Sequence, residues 1–178
     1  MNDAELLIDL KRGDREAARA LVLRHYPSVL RFLITLCRNV DDAEELTQET
    51  FVKAFHSVGK FRGQSGFRTW LHRIAYHEFT HRKRKQRPES MLLESATSNP
   101  FETTSALAID LERALHCLPV DARAAFVLCD VQELTMEEAA SVLRIPTGTV
   151  KSRLHGARKQ LMALLEPEQE VKIHVSRT

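Results

Sequence analysis

Apolar positions recur along most of this chain at the spacing of amphipathic α-helices, whereas hairpin signals and β-branched runs are few. The pattern therefore predicts an all-α protein. The predicted helices of the N-terminal half run from Asp3 to Arg12, from Asp14 to Cys37, from Asp41–Asp42 to Gly59, and from Phe67 to about Lys85. Gly13 is expected to end the first helix, and Pro27 to kink or divide the second.

The stretch after Pro88 is rich in Ser, Thr, Glu and Pro and shows no sustained period, which predicts a linker between two small helical domains. The expected division is a first domain over 1–87, a linker over 88–105, a second domain over 106–166 and a tail over 167–178.

In the second domain, helices are predicted over Ala106–Leu118 and Asp121–Glu133, followed by a helix-turn-helix. Thr135 and Glu138 have the spacing of a capping box that opens its short first helix. RIPTG forms the turn, and a longer helix begins near Thr149.

The composition is that of a soluble globular protein, with 178 residues, 43% of them apolar and 28% charged. No run approaches the length of a membrane span and the first residues lack the blocks of a signal peptide, so a cytoplasmic location is expected. Cys37, Cys117 and Cys129 are far apart and form no CxxC pair, which favours reduced thiols.

Charge is strongly segregated, although the net charge is only +2. Residues 60–87 hold nine bases and one acid, and residues 144–165 hold five bases and no acid. Residues 1–59 hold ten acids and eight bases, and residues 88–143 hold ten acids and two bases. Two basic islands in an acidic chain suit a protein that meets one polyanion at two places, although ordinary solvated faces also carry charge blocks.

The first island also carries aromatic rings: Phe61, Phe67, Trp70, Tyr76 and Phe79. Cations and stacking rings together suit single-stranded nucleic acid, and the alternative is a solvated basic helix with rings in the core. On a helical wheel, the inward stripe is Phe67, Trp70, Leu71, Ile74 and Ala75. The side predicted to face outward, towards a ligand, is Thr69, His72, Arg73, Tyr76 and Thr80.

Two other helix faces are distinctive. The third helix has an outward face of Glu45, Gln48, Glu49, Val52 and His56, which suits either a basic partner or solvent. The last helix has an apolar back of Val150, Leu154, Ala157, Leu161 and Leu164, and a basic front. Such a helix suits the major groove of DNA, although generic helical hairpins share the outline.

His77, Glu78 and His81 spell HExxH, a spacing that can bind zinc on a helix. The downstream HxxGxxH extension is missing, and the basic run Arg82–Lys85 that follows opposes a dication. We therefore interpret the motif as coincidental and expect no metal, no cofactor and no enzymatic activity.

Three segments in this order, DAEELTQETFVKAF, FRGQSGFRTWLHRIAYHEF with its basic run, and LPVDARAAFVLCDVQELTMEEAASVLRIPTGTVKSRLHGARKQL, closely resemble extracytoplasmic-function sigma factors. These are the small promoter-recognition subunits of bacterial RNA polymerase, within the sigma-70 family. The resemblance spans roughly Glu5 to Leu165 and implies a region 2-like domain, a linker and a region 4-like domain. It implies transcription initiation at −10 and −35 promoter elements, with core polymerase, promoter DNA and an anti-sigma factor as partners. A stand-alone helix-turn-helix regulator is the alternative, and a zinc hydrolase the third.

The resemblance also implies site residues. Those implied to bind core polymerase, at the β′ clamp helices, are Asp42, Glu45, Gln48, Glu49 and Val52. Those implied to bind −10 DNA are Lys60, Phe61, Arg62, Gln64, Ser65, Arg68, Thr69, His72, Arg73, Tyr76 and His77. Those implied to bind −35 DNA are Thr149, Lys151, Ser152, Arg153, His155, Arg158 and Lys159.

The chain departs from the family pattern at three positions. Gly156 stands where arginine is usual, which removes a DNA contact and places a flexible residue inside a helix. Arg144 replaces a common glycine after the first helix of the helix-turn-helix, which predicts a strained turn. His77 stands where asparagine is usual, so the −10 preference of relatives does not transfer.

Overall fold

The computed structural model of the protein describes residues 2–37, 39–85 and 106–165. These ranges are helical and contain no strand, which confirms the predicted all-α class. The helices of the first part are α1 (Asp3–Lys11), α2 (Arg15–Cys37), α3 (Val40–Ser57), a 3₁₀ turn (Val58–Lys60) and α4 (Phe67–Lys85). Those of the second are α5 (Ala106–Cys117), α6 (Val120–Phe126), a π-helical turn (Val127–Val131), α7 (Met136–Leu143) and α8 (Thr147–Leu165). The predicted linker and tail lie outside the described residues.

Helix α2 is the centre of the first domain and packs against α1, α3 and α4. Leu21, Phe32 and Leu33 on α2 have no exposed surface. Pro27 does not divide the helix, because α2 is continuous through it. Pro27 and Leu23, whose carbonyl loses its helical donor, both lie on the exposed side, where water can replace the missing hydrogen bond.

Helix α2 is also long and apolar enough to cross a membrane by length and composition, with a mean hydropathy of 1.2 over its best window. Its packing accounts for this composition, since eight of its residues, including His25, are buried against the neighbouring helices. An apolar helix with these contacts is the core helix of a helical domain.

Local capping explains where two helices begin. The Asn39 side chain accepts a hydrogen bond from the backbone N–H of Asp42, so Asn39 caps α3 and the prediction of a start at Asp41 was wrong by one residue. Thr135 and Glu138 form the predicted capping box of α7, each side chain bonded to the other's backbone N–H.

The two predicted domains pack against each other. One hydrophobic core joins buried residues of α1 to α4 with buried residues of α6, the π-helical turn, α7 and the start of α8, among them Leu128, Val142 and Val150. A smaller cluster, which includes Leu115 and Leu161, holds α5 to α8. Helix α4 therefore lies between α2 and α3 on one side and α7 on the other.

Candidate nucleic-acid interface

The acidic face of α3 lines a groove of about 600 Å³ between α3 and α4. Four of the five predicted polymerase-binding residues line it, namely Glu45, Gln48, Glu49 and Val52. Val52 is 54% exposed and leaves an apolar contact point among the charged residues of the groove. Helical spacing brings these side chains together because they lie three or four residues apart.

Arg82 crosses from α4 to this acidic face. Its guanidinium lies 2.8 Å from Glu45 Oε2, 3.1 Å from Glu49 Oε1 and 3.6 Å from Asp42 Oδ1. Arg82 therefore neutralises the α3 carboxylates. Asp42 does not line the groove, but it pairs with the same arginine, Arg82, as Glu45 and Glu49 do.

Glu78 of the HExxH motif ties α4 to α3. It is 6% exposed, and its carboxylate accepts hydrogen bonds from Lys53 Nζ and, at 3.1 Å, from His77 Nδ1. Burial alone would raise the pKa of Glu78, but these hydrogen bonds outweigh it and hold the pKa below its usual value. The His77 and His81 rings stack with centroids 6.4 Å apart. No group of three metal-ligating side chains occurs within residues 2–37, 39–85 and 106–165.

The loop before α4 presents the exposed side chains of Lys60, Arg62 and Gln64, with Ser65 half-buried. Phe61 is half-buried against two rings of α4, with centroid distances of 5.9 Å to Phe67 and 5.0 Å to Trp70. Lys11 Nζ donates a hydrogen bond to the Phe61 carbonyl at 3.1 Å, which fixes the loop to α1. The loop thus offers cations at the surface and one edge of an aromatic cluster.

The α4 side predicted to face a ligand is covered by the second domain. The Arg68 guanidinium donates to the backbone carbonyl and, at 3.0 Å, to the side chain of Gln132. Thr69 Oγ1 donates to Glu138 Oε1 at 2.7 Å, and Arg73 donates to Ser141 Oγ. Thr69 is 1% exposed, so the prediction that it faces outward was wrong, because α7 packs on this side of α4.

His72 was also predicted to face outward and is fully buried. Its ring packs on Phe32 of α2 with centroids 5.3 Å apart, and its Nδ1 lies 2.9 Å from the Arg68 carbonyl. Burial lowers its pKa to about 4, and the nearby Arg68 charge acts in the same direction. His72 is therefore neutral at physiological pH, and its ring is part of the packed core between α4 and α2.

Tyr76 and His77 differ in their exposure. His77 is exposed, whereas Tyr76 is half-buried, with its ring 6.4 Å from that of Phe79. Burial raises the pKa of Tyr76, and the charges of Asp121 and Arg153 in the second domain also act on it. Tyr76, whose ring was expected to contact the bases of −10 DNA, therefore lies at the boundary between the two domains.

The helix-turn-helix presents α8 at the surface. Val150, Leu154, Ala157 and Leu161 are buried, as the apolar stripe predicted, whereas Leu164 is 50% exposed and does not belong to the buried stripe. Exposed side chains on the opposite side are Lys151, Ser152, His155, Arg158 and Lys159, with Thr149 and Arg153 half-buried.

Two arginines of this front are held within the second domain. Arg153 pairs with Asp121 at 3.0 Å, and Arg158 makes a bidentate pair with Asp130 at 2.8 and 2.6 Å. The cations presented without such a pair among the described residues are Lys151 and Lys159, together with the imidazole of His155.

Sequence reasoning missed the residues that join the domains. Gln132 is 4% exposed and exchanges hydrogen bonds with Ser28 of α2, since Ser28 Oγ donates to Gln132 Oε1 at 2.7 Å and Gln132 Nε2 donates to the Ser28 carbonyl at 3.3 Å. Arg123 has no exposed surface and donates to the carbonyls of Thr35 at 2.8 Å and Leu118 at 3.0 Å. Neither residue is marked in the sequence, since Gln132 lies between Asp130 and Glu133 and Arg123 lies two residues after Asp121.

Among the described residues, a basic loop and a capped helix-turn-helix with an exposed basic front are features that DNA-binding proteins share. Comparison of the sequence with models of known protein families identifies the class of protein. Residues 21–89 match sigma-70 region 2, and residues 108–161 match sigma-70 region 4. The RNA polymerase sigma-H factor of Pseudomonas aeruginosa is 31% identical over 182 residues, covering 93% of this chain and 94% of that protein. The ECF RNA polymerase sigma-E factor of Haemophilus influenzae is 32% identical over 184 residues, covering 94% of this chain and 97% of that protein. The chain belongs to the sigma-70 family and is an extracytoplasmic-function (ECF) sigma factor.

Two solved structures share the fold. The sigma factor RpoE, in its co-crystal structure with the anti-sigma factor NepR from Bartonella quintana, is 31% identical with a TM-score of 0.75, covering 85% of this chain and 98% of that one. CnrH, in complex with the cytosolic domain of CnrY, is 26% identical with a TM-score of 0.71, covering 92% of this chain and 96% of that one.

Proposed function

We propose that this sigma factor binds core RNA polymerase through the groove between α3 and α4, and directs initiation by contacting −10 DNA with the loop and first turns of α4 and −35 DNA with α8. The boundaries proposed for these roles are 1–87 for polymerase and −10 binding, 106–166 for −35 binding, and 88–105 for the linker. Its site of action is the cytoplasm, and it carries no catalytic group of its own, since the polymerase performs the chemistry.

The observation that carries the proposal is the surface of α8. Its apolar back is buried in a helix-turn-helix whose first helix is fixed by a capping box, and its front exposes Lys151, His155 and Lys159. Residues 144–165 contain no acid, so nothing on this helix repels phosphate. Exposed lysines of a recognition helix can hold the DNA backbone, while neighbouring side chains reach base edges.

The groove supports the polymerase role. Glu45 and Glu49 line the groove together with the exposed Val52, and the cations Lys53, Arg82 and Lys85 line it as well. The two carboxylates and the valine suit a partner helix that brings a basic and an apolar side chain. Docking there requires Arg82 to share or release Glu45 and Glu49, because its guanidinium occupies both in the free chain. Such an exchange of one cation for another leaves the carboxylates paired and lowers the desolvation cost.

An anti-sigma factor is the proposed regulator. In the first of the two structures with a similar fold, the sigma factor RpoE is bound to the anti-sigma factor NepR, and in the second, CnrH is bound to the cytosolic domain of CnrY. Co-purification of the chain from its host should identify polymerase subunits and any such inhibitor together.

The test is transcription in vitro with purified core polymerase and a library of promoter fragments. Val52→Asp places a charge at the apolar point of the groove and should weaken core binding about tenfold. Leu23→Asp is the matched control, because Leu23 is 68% exposed on α2, outside the groove. Equal binding by both variants would refute the assignment of the groove.

Lys151→Ala with Lys159→Ala tests α8. If both lysines hold phosphate, promoter binding by the holoenzyme should weaken and the slope of log affinity against log salt should fall by about 2. Arg113→Ala, at an exposed position of α5, controls for the loss of positive charge. Tight duplex binding without polymerase, and no core binding, would instead favour a stand-alone regulator.

A further inference from the structure

Helix α8 carries an arginine that an acid of a neighbouring segment holds from one side. Arg158 Nε donates to Asp130 Oδ2 at 2.8 Å, and Arg158 Nη2 donates to Asp130 Oδ1 at 2.6 Å. A guanidinium has five N–H donors in one rigid plane, and this pair uses the two donors on the side of Nε and Nη2. The donors at the end of the side chain, on Nη1 and Nη2, make no hydrogen bond within residues 2–37, 39–85 and 106–165. We call these end donors the free fork of Arg158.

The arginine is the outer partner of this ion pair. The side chain of Arg158 is 54% exposed and that of Asp130 is 24% exposed, so the guanidinium covers the carboxylate. The ion pair between Arg153 of α8 and Asp121 has the reverse arrangement, because the Arg153 side chain is 27% exposed and the Asp121 side chain 57%. DNA approaching α8 would therefore meet the cation of the first pair and the acid of the second.

Arg158 lies in one row with two other exposed side chains of α8. Lys151, His155 and Arg158 are separated by four and three residues, a spacing that places side chains next to each other along a helix. All three are exposed. A duplex that contacts Lys151 and His155 therefore passes beside the free fork of Arg158.

A π-helical turn places Asp130 against Arg158. The turn buries Val127 and Leu128 in the core and directs Asp130 towards α8. Turns of this kind are rare and occur frequently at functional sites. Arg158 directly follows the buried Ala157, so the helix that carries the arginine is anchored as well. Both partners are thus attached to packed elements, and the plane of the guanidinium is fixed between them.

We propose that Asp130 is a positioning residue for −35 recognition, which holds Arg158 so that its free fork contacts two acceptor atoms of the DNA. This inference rests on the proposed function, since it takes α8 as the helix that binds −35 DNA. Two oxygens of one phosphate offer such a pair of acceptors, and so do N7 and O6 of a guanine.

The same ion pair limits attraction to DNA of arbitrary sequence. A cation that meets a phosphate adds affinity on any duplex and carries no sequence information. Asp130 offsets the charge of Arg158, whereas the orientation that it gives to the free fork is useful only where the two acceptors lie in the right place. Loss of Asp130 should therefore weaken binding to the −35 element relative to binding elsewhere.

Asp130→Asn tests this inference with little change of shape. The quantity measured is the affinity of the holoenzyme for the promoter selected in the transcription assay, divided by its affinity for the same fragment with a scrambled −35 element. This ratio should fall about tenfold in Asp130→Asn. On the scrambled fragment, the slope of log affinity against log salt should steepen by about 1, because the released Arg158 neutralises one more phosphate.

Two further variants control for charge and for shape. Glu137→Gln removes an exposed acid of α7 that has no ion pair among the described residues, and it should leave the ratio unchanged. Asp130→Glu keeps the charge and both oxygens, and it should retain most of the wild-type ratio. A ratio in Asp130→Asn equal to that of wild type would overturn the inference while leaving the proposed function intact.

A double-mutant cycle separates positioning from a purely structural role. Arg158→Met should lower the ratio, and the addition of Asp130→Asn to it should change the ratio no further, because Asp130 acts through Arg158. A further loss in the double variant as large as that in Asp130→Asn alone would overturn the inference. If wild-type holoenzyme does not prefer the intact −35 element, the proposed function itself fails, and the inference with it.

Single base-pair substitutions in the −35 element identify the acceptor. If the free fork contacts a guanine, Arg158→Met should lose discrimination at that one base pair. If it contacts a phosphate, Arg158→Met should weaken binding to every substituted element by the same factor and reduce the salt slope by about 1. An Arg158→Met holoenzyme with the affinity, ratio and salt slope of wild type would show that the fork does not contact DNA and would overturn the inference.

Discussion

Arg123 is buried without exposed surface at the meeting point of the two domains. Its guanidinium donates to the Thr35 carbonyl in the last turn of α2 at 2.8 Å, and to the Leu118 carbonyl just before α6 at 3.0 Å. The last carbonyls of a helix have no partner within it, so Arg123 of the second domain completes the C-terminus of α2 in the first. We expect its replacement to uncouple the domains.

The size of the effect follows from the contacts. A hydrogen bond to a charged group contributes about 1.5–3 kcal/mol, and Arg123→Met loses at least two while keeping most of the aliphatic volume. We therefore expect Arg123→Met to lower the free energy of unfolding by about 3–5 kcal/mol. Arg123→Ala should cost more because it also leaves a cavity, and Arg123→Lys less because the ammonium can still reach one carbonyl.

Urea unfolding with two probes measures both stability and coupling. The single tryptophan, Trp70, packs on Phe61 and Phe67 and reports the first domain, whereas far-UV circular dichroism reports all helices. In wild type the two transitions should coincide, and in Arg123→Met they should separate. Arg113→Met, at an exposed arginine of α5, is the control and should stay within about 0.5 kcal/mol of wild type. Coincident transitions in Arg123→Met, at wild-type stability, would refute the reasoning.

Two further predictions concern stability. Gly156→Ala should raise the free energy of unfolding by about 1 kcal/mol, because Gly156 lies inside α8 and no atom lies within 4 Å of an added Cβ. Gly63→Ala is the control and should lower the free energy of unfolding, because Gly63 has a φ of +70°. A lower free energy of unfolding in Gly156→Ala would contradict the argument. Acid should also destabilise the chain, because burial lowers the pKa of His72 to about 4 from 6.5 and only the unfolded chain binds a proton between these values. Between about pH 7 and about pH 5, the free energy of unfolding measured by urea titration should fall by about 2 kcal/mol. If the free energy of unfolding of His72→Gln falls by the same amount over this range, His72 is not the group responsible.

Signals between residues near in sequence were sufficient for much of the fold. The bounds of α4 and the Thr135–Glu138 capping box follow from Gly, Pro and capping chemistry within a few residues. The predicted strain at Arg144 is confirmed, since this residue ends α7 in the left-handed region at φ 55°. Asn39 was missed as the cap of α3 because Asp41 is an equally good capping residue two positions later.

Contacts distant in sequence could not be predicted in this way. An arginine such as Arg123 in a short amphipathic helix is indistinguishable from a surface residue until the end of α2 is placed against it. Gln132 follows a π-helical turn, closed by the hydrogen bond from its N–H to the Val127 carbonyl at 2.8 Å. A π-helical turn contains one residue more than an α-helical turn, so a helical wheel drawn at 3.6 residues per turn gives the wrong direction for the side chains that follow it. The direction of the Gln132 side chain could therefore not be predicted from the sequence.

The same limit explains why α4 was only partly understood from its sequence. Its helical wheel correctly placed Phe67, Leu71 and Ala75 in the buried apolar stripe, but it placed Thr69 and His72, which are also buried, on the polar side. Arginine and threonine on that polar side indicate a partner rich in hydrogen-bond acceptors, but a phosphate strand and a second protein domain both meet that description. In the structure, Arg68, Thr69 and Arg73 find their acceptors in the second domain. Polar side chains that would bind a phosphate strand and polar side chains that bind another domain therefore have the same sequence signature.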